Sequence, residues 1–215
     1  MIDLAIRILI YGAVVSGIWA LVASGFTLIF GVARILNFAH GTFFVLAAYI
    51  GIVMVGSGVN PLLATLISVV VVGIFAVIIY ALLLSRIREH EVMVIIATLA
   101  LALLVEQILI LIFGEHGISY PSMITGVVRF GKTPITYERI LAFFVAIIVI
   151  ALLELFINRT RLGKMISAAS QNFEGAMLVG MDVEKLFRVT MFISAVLAGI
   201  GGILYSQIYS ATPIA

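Results

Sequence analysis

Residues 42–85 read TFFVLAAYIGIVMVGSGVNPLLATLISVVVVGIFAVIIYALLLS and contain no Asp, Glu, Lys or Arg. A helix needs about 20 apolar residues to cross the hydrocarbon core of a bilayer. The stretch is too long for one crossing. Inside it, Gly56-Ser57-Gly58-Val59-Asn60-Pro61 is a strong turn signal. It therefore divides into a short helix, 42–55, and a full one, 62–85. The short one has the length of a tilted or re-entrant segment.

The same reading extends outward. Residues 8–33 are free of charge and form a first span. Behind the cluster Arg86-Ile87-Arg88-Glu89-His90-Glu91 comes a span at 92–113, which holds Glu106 and Gln107. Residues 114–139 make a polar loop, 140–157 a further span, 158–188 the longest polar stretch, and 189–209 the last span. The N-terminus lacks the basic start of a secretory leader, so its apolar run is read as a retained span.

Composition agrees. Hydrophobic residues make up 64% of the 215, and charged residues 10%, against roughly 25% in a globular domain. The mean hydropathy is +1.34. These values exclude disorder, which needs low hydrophobicity and high charge, and disfavour a soluble enzyme. The net charge of +2 is too small to suggest nucleic acid as a partner. Without cysteine there is no disulfide or thiolate metal site. The expected fold is an all-α integral membrane protein, a single domain of about six transmembrane helices.

Lys and Arg in the loops set the orientation. With alternate loops on one side, Arg34, Arg86, Arg88, Arg159, Arg161, Lys164, Lys185 and Arg188 face Arg7, Arg129, Lys132 and Arg139. The richer side is cytoplasmic, which puts both chain ends outside. If 42–55 re-enters, the N-terminus moves inside.

Few motifs carry chemistry. Gly126-Val127-Val128-Arg129-Phe130-Gly131-Lys132-Thr133 fits a nucleotide P-loop. A working P-loop joins a buried strand to a helix in an α/β domain, and this loop has no room for one. Glu106 is the unusual intramembrane group, because a charge at mid-bilayer costs about 2.5–3.5 kcal/mol on insertion scales. It reads either as a pathway carboxylate or as an interior glutamate hydrogen-bonded to a neighbouring helix, with Gln107 beside it. Glu154 lies near an inner helix end and is expected to reach Arg159 or Arg161. Ala13 and Gly17, Ala20 and Ser24, Ala195 and Gly199, and Ala198 and Gly202 pair small residues on helix faces, which predicts close helix packing.

The interruption Asn37-Phe38-Ala39-His40-Gly41 leaves backbone groups that water cannot reach at membrane depth, which is tolerated only against protein or a wet cavity. It reads either as part of a translocation path or as a turn capped by Asn37. In the long loop, Ile166, Ala169 or Ser170, Phe173 and Met177 recur at helical spacing and predict a short amphipathic helix. Gly180 is a natural helix terminator, and Asp182 can start the next helix.

Glu174-Gly175-Ala176 with Gly180 resembles the cytoplasmic loop motif of ABC importer permeases, with Gly175 where the motif has alanine. Arg161-Leu162-Gly163-Lys164, Gly180-Met181-Asp182-Val183 with Phe192-Ile193-Ser194-Ala195, and Gly31-Val32-Ala33-Arg34-Ile35-Leu36-Asn37-Phe38-Ala39-His40-Gly41 resemble one family in particular. They are similar to permease subunits of high-affinity branched-chain amino acid ABC importers, from about residue 10 onward. The resemblance implies a multi-pass cell-membrane subunit that is not itself an enzyme and binds no cofactor. ATP is used by two cytoplasmic ATPase subunits. A second, homologous permease, an extracytoplasmic binding protein and membrane lipid complete the partners. It implies that Glu174, Gly175, Ala176 and Gly180 mark the ATPase-coupling helix. It also implies that Asn37, His40 and Gly41, with Glu106 and Gln107, line the path or its gate. Family members continue with further spans beyond the equivalent of Ala215, so C-terminal spans are expected beyond this chain. Urea or short amides are the alternative substrates within the family. An ion-coupled secondary transporter using Glu106 is the alternative outside it.

Overall fold

Four side-chain caps divide the polar stretches of the chain. Asn60 accepts from the Leu62 amide with Pro61 at the first helical position. Thr160 accepts from Gly163, Asn172 from Gly175, and Asp182 from Lys185. Each satisfies an amide that its helix leaves unpaired. The computed structural model describes residues 2–34, 36–130 and 133–213. Ile35 of the Gly31–Gly41 string, Gly131 and Lys132 of the P-loop match, and Met1, Ile214 and Ala215 fall outside them.

In chain order the elements are α1 (Ile2–Ala33), α2 (His40–Gly56), α3 (Pro61–Ile79), a π-helical turn (Tyr80–Leu84) leading into α4 (Ser85–Ile87), and α5 (Glu91–Phe113). A hairpin of β1 (Val127–Phe130) and β2 (Thr133–Thr136) follows, then α6 (Tyr137–Arg159), α7 (Arg161–Gln171), α8 (Phe173–Leu178) and α9 (Val183–Ile208). Among the described residues, five rods are long and apolar enough to cross a membrane: 7–33, 61–87, 91–113, 137–159 and 183–208. α2 is a shorter apolar helix. The chain is an all-α polytopic membrane protein, and its first helix starts earlier than the charge-free run 8–33.

α9 is the axis. Of its span, 67% is buried, against 11% for that of α6. α1, α2 and α3 all pack on it. Its small residues make this approach possible. A Cβ on Gly199 would lie 3.0 Å from Ala47 Cβ, and one on Gly202 would run into the Phe44 carbonyl. Gly199 and Gly202 thus find their partner in α2 of the same chain, and Gly201 meets Val22 of α1. Gly17 meets α6 at Ala146, 3.4 Å from an added Cβ. The pair Ala20 and Ser24 departs from expectation. It lines an open crevice of about 590 Å³ between α1 and α7.

The ends of the rods sort into two sides. Arg34, Arg88 and Glu174 line one cavity. At the other side, Tyr11 donates to the Pro134 carbonyl at 2.9 Å, and the Arg139 guanidinium sits 4.2 Å over the Tyr11 ring. Tyr120 donates to the Pro61 carbonyl, and Ile118 pairs with Ala211. The rod ends thus alternate between two sides along the chain.

One local expectation holds and one changes. The P-loop match falls on the antiparallel hairpin, with Val127 opposite Thr136, and a hairpin offers no helix N-terminus to phosphate. Glu154 accepts from the Asn158 amide one turn along α6. It does not reach Arg159 or Arg161, because α6 ends at Arg159 and Arg161 opens a separately capped helix.

Candidate translocation and coupling sites

The interruption lies deep in the bundle. His40 Nε2 is 3.0 Å from the Val22 carbonyl of α1, and Nδ1 is 3.2 Å from Ser194 Oγ of α9. At 1.5 Å per residue, Val22 lies roughly 16 Å along α1 from its inner end. Ser194 lies about as far along α9. The chain leaves α1 at Ala33, folds back between the rods, and starts α2 near mid-depth. α2 then runs to the outer side. It neither spans the full depth nor returns to the side it came from.

Protein satisfies the exposed backbone there. Asn37 Oδ1 accepts from the Ala39 amide at 3.1 Å, and the Asn37 carbonyl accepts from His40 at 3.2 Å. The Phe38 amide donates to Thr98 Oγ1 of α5 at 3.2 Å, and Asn37 Nδ2 faces Met191 Sδ at 3.8 Å. Asn37 thus closes a side-chain turn ahead of α2, whose N-cap position is Ala39, and His40 is a cross-link between α1 and α9. Gly25 makes room: a Cβ there would lie 2.9 Å from the Ser194 carbonyl and 3.1 Å from His40 Cε1.

The proposed path residues divide between two faces. Asn37 and His40 are buried against α1 and α9. Gly41 faces away from them, toward α5, and shares a cavity of about 90 Å³ with Phe38, Thr42 and Glu106. Glu106 is half-buried and makes no hydrogen bond or ion pair among the described residues. The alternative of a glutamate bonded to the next helix is not what this arrangement shows. Gln107 points outward and is exposed, apart from Glu106, as adjacent residues on a helix must be.

The long polar stretch 158–188 makes two helices where one was expected. Asn172 stops α7 and caps α8. Ile166 and Ala169 are buried under α7, while Met177 is exposed on α8. Gly163 lets α7 turn tightly off α6: a Cβ there would lie 2.5 Å from Ile157 Cα. Glu174 is exposed in the first turn of α8, and Ala176 is buried. Gly175 sits against its cap, since a Cβ would press on Asn172 Cγ at 3.0 Å. That contact suits glycine where the motif has alanine. Gly180 adopts φ +79°, the left-handed conformation that ends a helix. Leu178 and Val179 stand 88% and 72% exposed at the tip.

An aromatic and ionic node holds the base of this loop. Arg88 Nη1 donates to Glu184 Oε2 at 2.8 Å, and Tyr80 donates to the same oxygen at 3.2 Å. The guanidinium lies 5.3 Å over the Phe187 ring. Phe173 of α8 also packs on Phe187, with centroids 5.7 Å apart. Sequence reasoning passed over Thr98, Ser194, Met191 and Asn172. The signal for Thr98 was there, as the lone hydroxyl of its apolar span, whereas Ser194 shares its span with Thr190 and Ser206.

Residues 8–215 match the family described as branched-chain amino acid transport system / permease component. The chain belongs to this family. It is similar to the high-affinity branched-chain amino acid transport system permease protein BraD of Pseudomonas aeruginosa, at 26% identity over 94% of this chain and 70% of that protein. It is also similar to the permease proteins LivH of Escherichia coli and Salmonella typhimurium, each at 22% identity over 92% of this chain and 69% of theirs. No solved structure matches. The chain is a permease component and a multi-pass protein of the cell membrane.

Proposed function

We propose that this permease carries branched-chain amino acids inward as a subunit of an ABC importer, by alternating access driven by two partner ATPases. A second permease completes the path, and an extracytoplasmic binding protein delivers the substrate. The observation that carries this reading is the tip of α8. Leu178 and Val179 stand exposed on the inner side beyond the spans, and an apolar tip in water calls for a partner surface. The names of the relatives support the substrate class. In this reading Glu174, Gly175, Ala176 and Gly180 form the docking element, and Asn37, His40, Gly41 and Glu106 belong to the path or its gate. ATP is bound by the partners, not by this chain.

The test is uptake in vesicles reconstituted with and without the ATPases and the binding protein. Leucine uptake that needs both and ATP supports the proposal. Uptake of urea or a short amide in its place moves the substrate within the family. A second reading rests on Glu106, which faces a crevice without a partner. There the carboxylate couples transport to protons. Uptake by the chain alone under a pH gradient, lost in Glu106→Gln, favours that reading and removes the first.

A further inference from the structure

The inner end of α1 closes on a strained residue. Arg34 follows Ala33 with φ +52°, and among the described residues no other non-glycine residue has a positive φ. The Arg34 amide donates to the Phe30 carbonyl at 2.9 Å. This is the left-handed helix end that glycine or asparagine ordinarily supplies, and an L residue with a long side chain pays for it in backbone strain. A charge that only set the topology would do so from any position in the turn. The strain therefore points to a role for the guanidinium itself.

That group has no partner in the described chain. Arg34 lines the cavity of about 610 Å³ on the inner side, together with Arg88, Glu89 and Glu174. Of the two arginines, Arg88 is paired with Glu184. Arg34 is exposed, and its side chain makes no hydrogen bond or ion pair among the described residues.

We propose that Arg34 is a second docking contact for the partner ATPase, pairing with a carboxylate that the ATPase brings into this cavity. The inference rests on the reading of α8 as the docking element. Two observations favour a protein over a free anion. Glu174 and Met177 of α8 form one wall of the cavity, so a subunit seated on that helix covers its mouth. The charges are also mixed. Glu89 and Glu174 are as unpaired as Arg34 among the described residues, which suits a surface carrying both signs, whereas a small anion would meet two carboxylates. Only residues 35 and 36 separate Arg34 from Asn37, which closes the turn ahead of α2. The ATPase thus holds the segment that enters the interruption, and not only the loop before α9.

The experiment titrates the purified partner ATPase onto the permease in nanodiscs and reads Kd. Arg34→Gly removes the guanidinium and the strain together. Its melting temperature should equal or exceed that of the unmodified chain, while ATPase binding weakens about tenfold, as the loss of one charge-assisted hydrogen bond predicts. A residue that merely ended α1 would leave binding unchanged. Arg34→Lys keeps the charge and should keep most of the binding. Asparagine also tolerates the left-handed conformation, so Arg34→Asn decides the matter where Arg34→Gly misfolds. Added salt should weaken the unmodified permease more than Arg34→Gly. The chain has no cysteine, so Arg34→Cys takes a single photoactivatable label, which should cross-link to the ATPase when that subunit is saturating. Unchanged binding in folded Arg34→Gly or Arg34→Asn overturns the inference, and the α8 reading survives it if Glu174→Arg still abolishes binding. Cross-linking of position 34 to the permease chain itself also overturns it. No binding by the unmodified permease removes both readings.

Discussion

His40 and Ser194 meet at 3.2 Å between ring Nδ1 and hydroxyl, although they belong to α2 and α9. On its other edge the same ring reaches the Val22 carbonyl of α1 at 3.0 Å. A carbonyl can only accept, so Nε2 carries the hydrogen. In the neutral ring, Nδ1 then accepts from Ser194. One imidazole ties three helices where the backbone of α2 begins.

His40→Leu breaks both bonds and leaves the Ser194 hydroxyl without its partner. The expected loss of stability is about 1–3 kcal/mol, read as a lower melting temperature in detergent, with impaired uptake. His116 is exposed in the outer loop, and His116→Leu should change neither. Equal uptake in the two variants would reduce the interruption to a turn.

Gly163 supplies a second test. With Ile157 Cα 2.5 Å from an added Cβ, Gly163→Val has to push α7 off the end of α6. Overpacking of this kind costs about 1–3 kcal/mol. The expected result is weak ATPase co-purification with the spans still inserted, checked by protease access to the loop. Unchanged co-purification would show that the angle of α7 does not matter for docking.

How far the sequence was legible follows from the physics of each part. Spans were readable because length and lack of charge suffice. Gly180 and Asp182 were readable because caps are local: one adopts φ +79°, and the other accepts from Lys185. The faces of the spans were not. A helix in lipid is apolar all round, so periodicity does not mark its buried side. Hence Ala20 and Ser24 looked like Ala195 and Gly199, yet only the second pair is packed. The depth of His40 was hidden too, because it depends on contacts with Val22 and Ser194 made only once the rods assemble. The separation of Gly41 and Glu106 from Asn37 has the same cause.

The Arg88–Glu184 pair should matter less than its distance suggests. Both side chains are 35% exposed, and pairs of that kind contribute about 0.2–1 kcal/mol. Phe187 beneath them is buried, and truncating a buried phenylalanine costs about 3–5 kcal/mol. A double-mutant cycle with Arg88→Ala and Glu184→Ala should give a small interaction energy, and Phe187→Ala a large loss, in melts of the purified protein. The reverse order would make the ion pair the main tie at the base of the loop.

The docking assignment rests on α8 and is tested by separating strain from contact. At Gly180 a Cβ meets nothing within 4 Å, so bulk is tolerated inside the chain. The positive φ alone costs an L residue about 1–2 kcal/mol. Gly180→Ala introduces that strain with little bulk, and Gly180→Trp adds bulk on the exposed side. Glu174→Arg reverses a charge at an exposed position in the first turn of α8, where a carboxylate is favoured by about 0.3–1 kcal/mol. None of the three should unfold the spans. Glu174→Arg and Gly180→Trp should abolish ATPase co-purification, while Gly180→Ala keeps most of it. Normal co-purification of the first two removes α8 as the docking element. Equal loss in Gly180→Ala and Gly180→Trp would assign the effect to the helix end itself, not to the surface it presents.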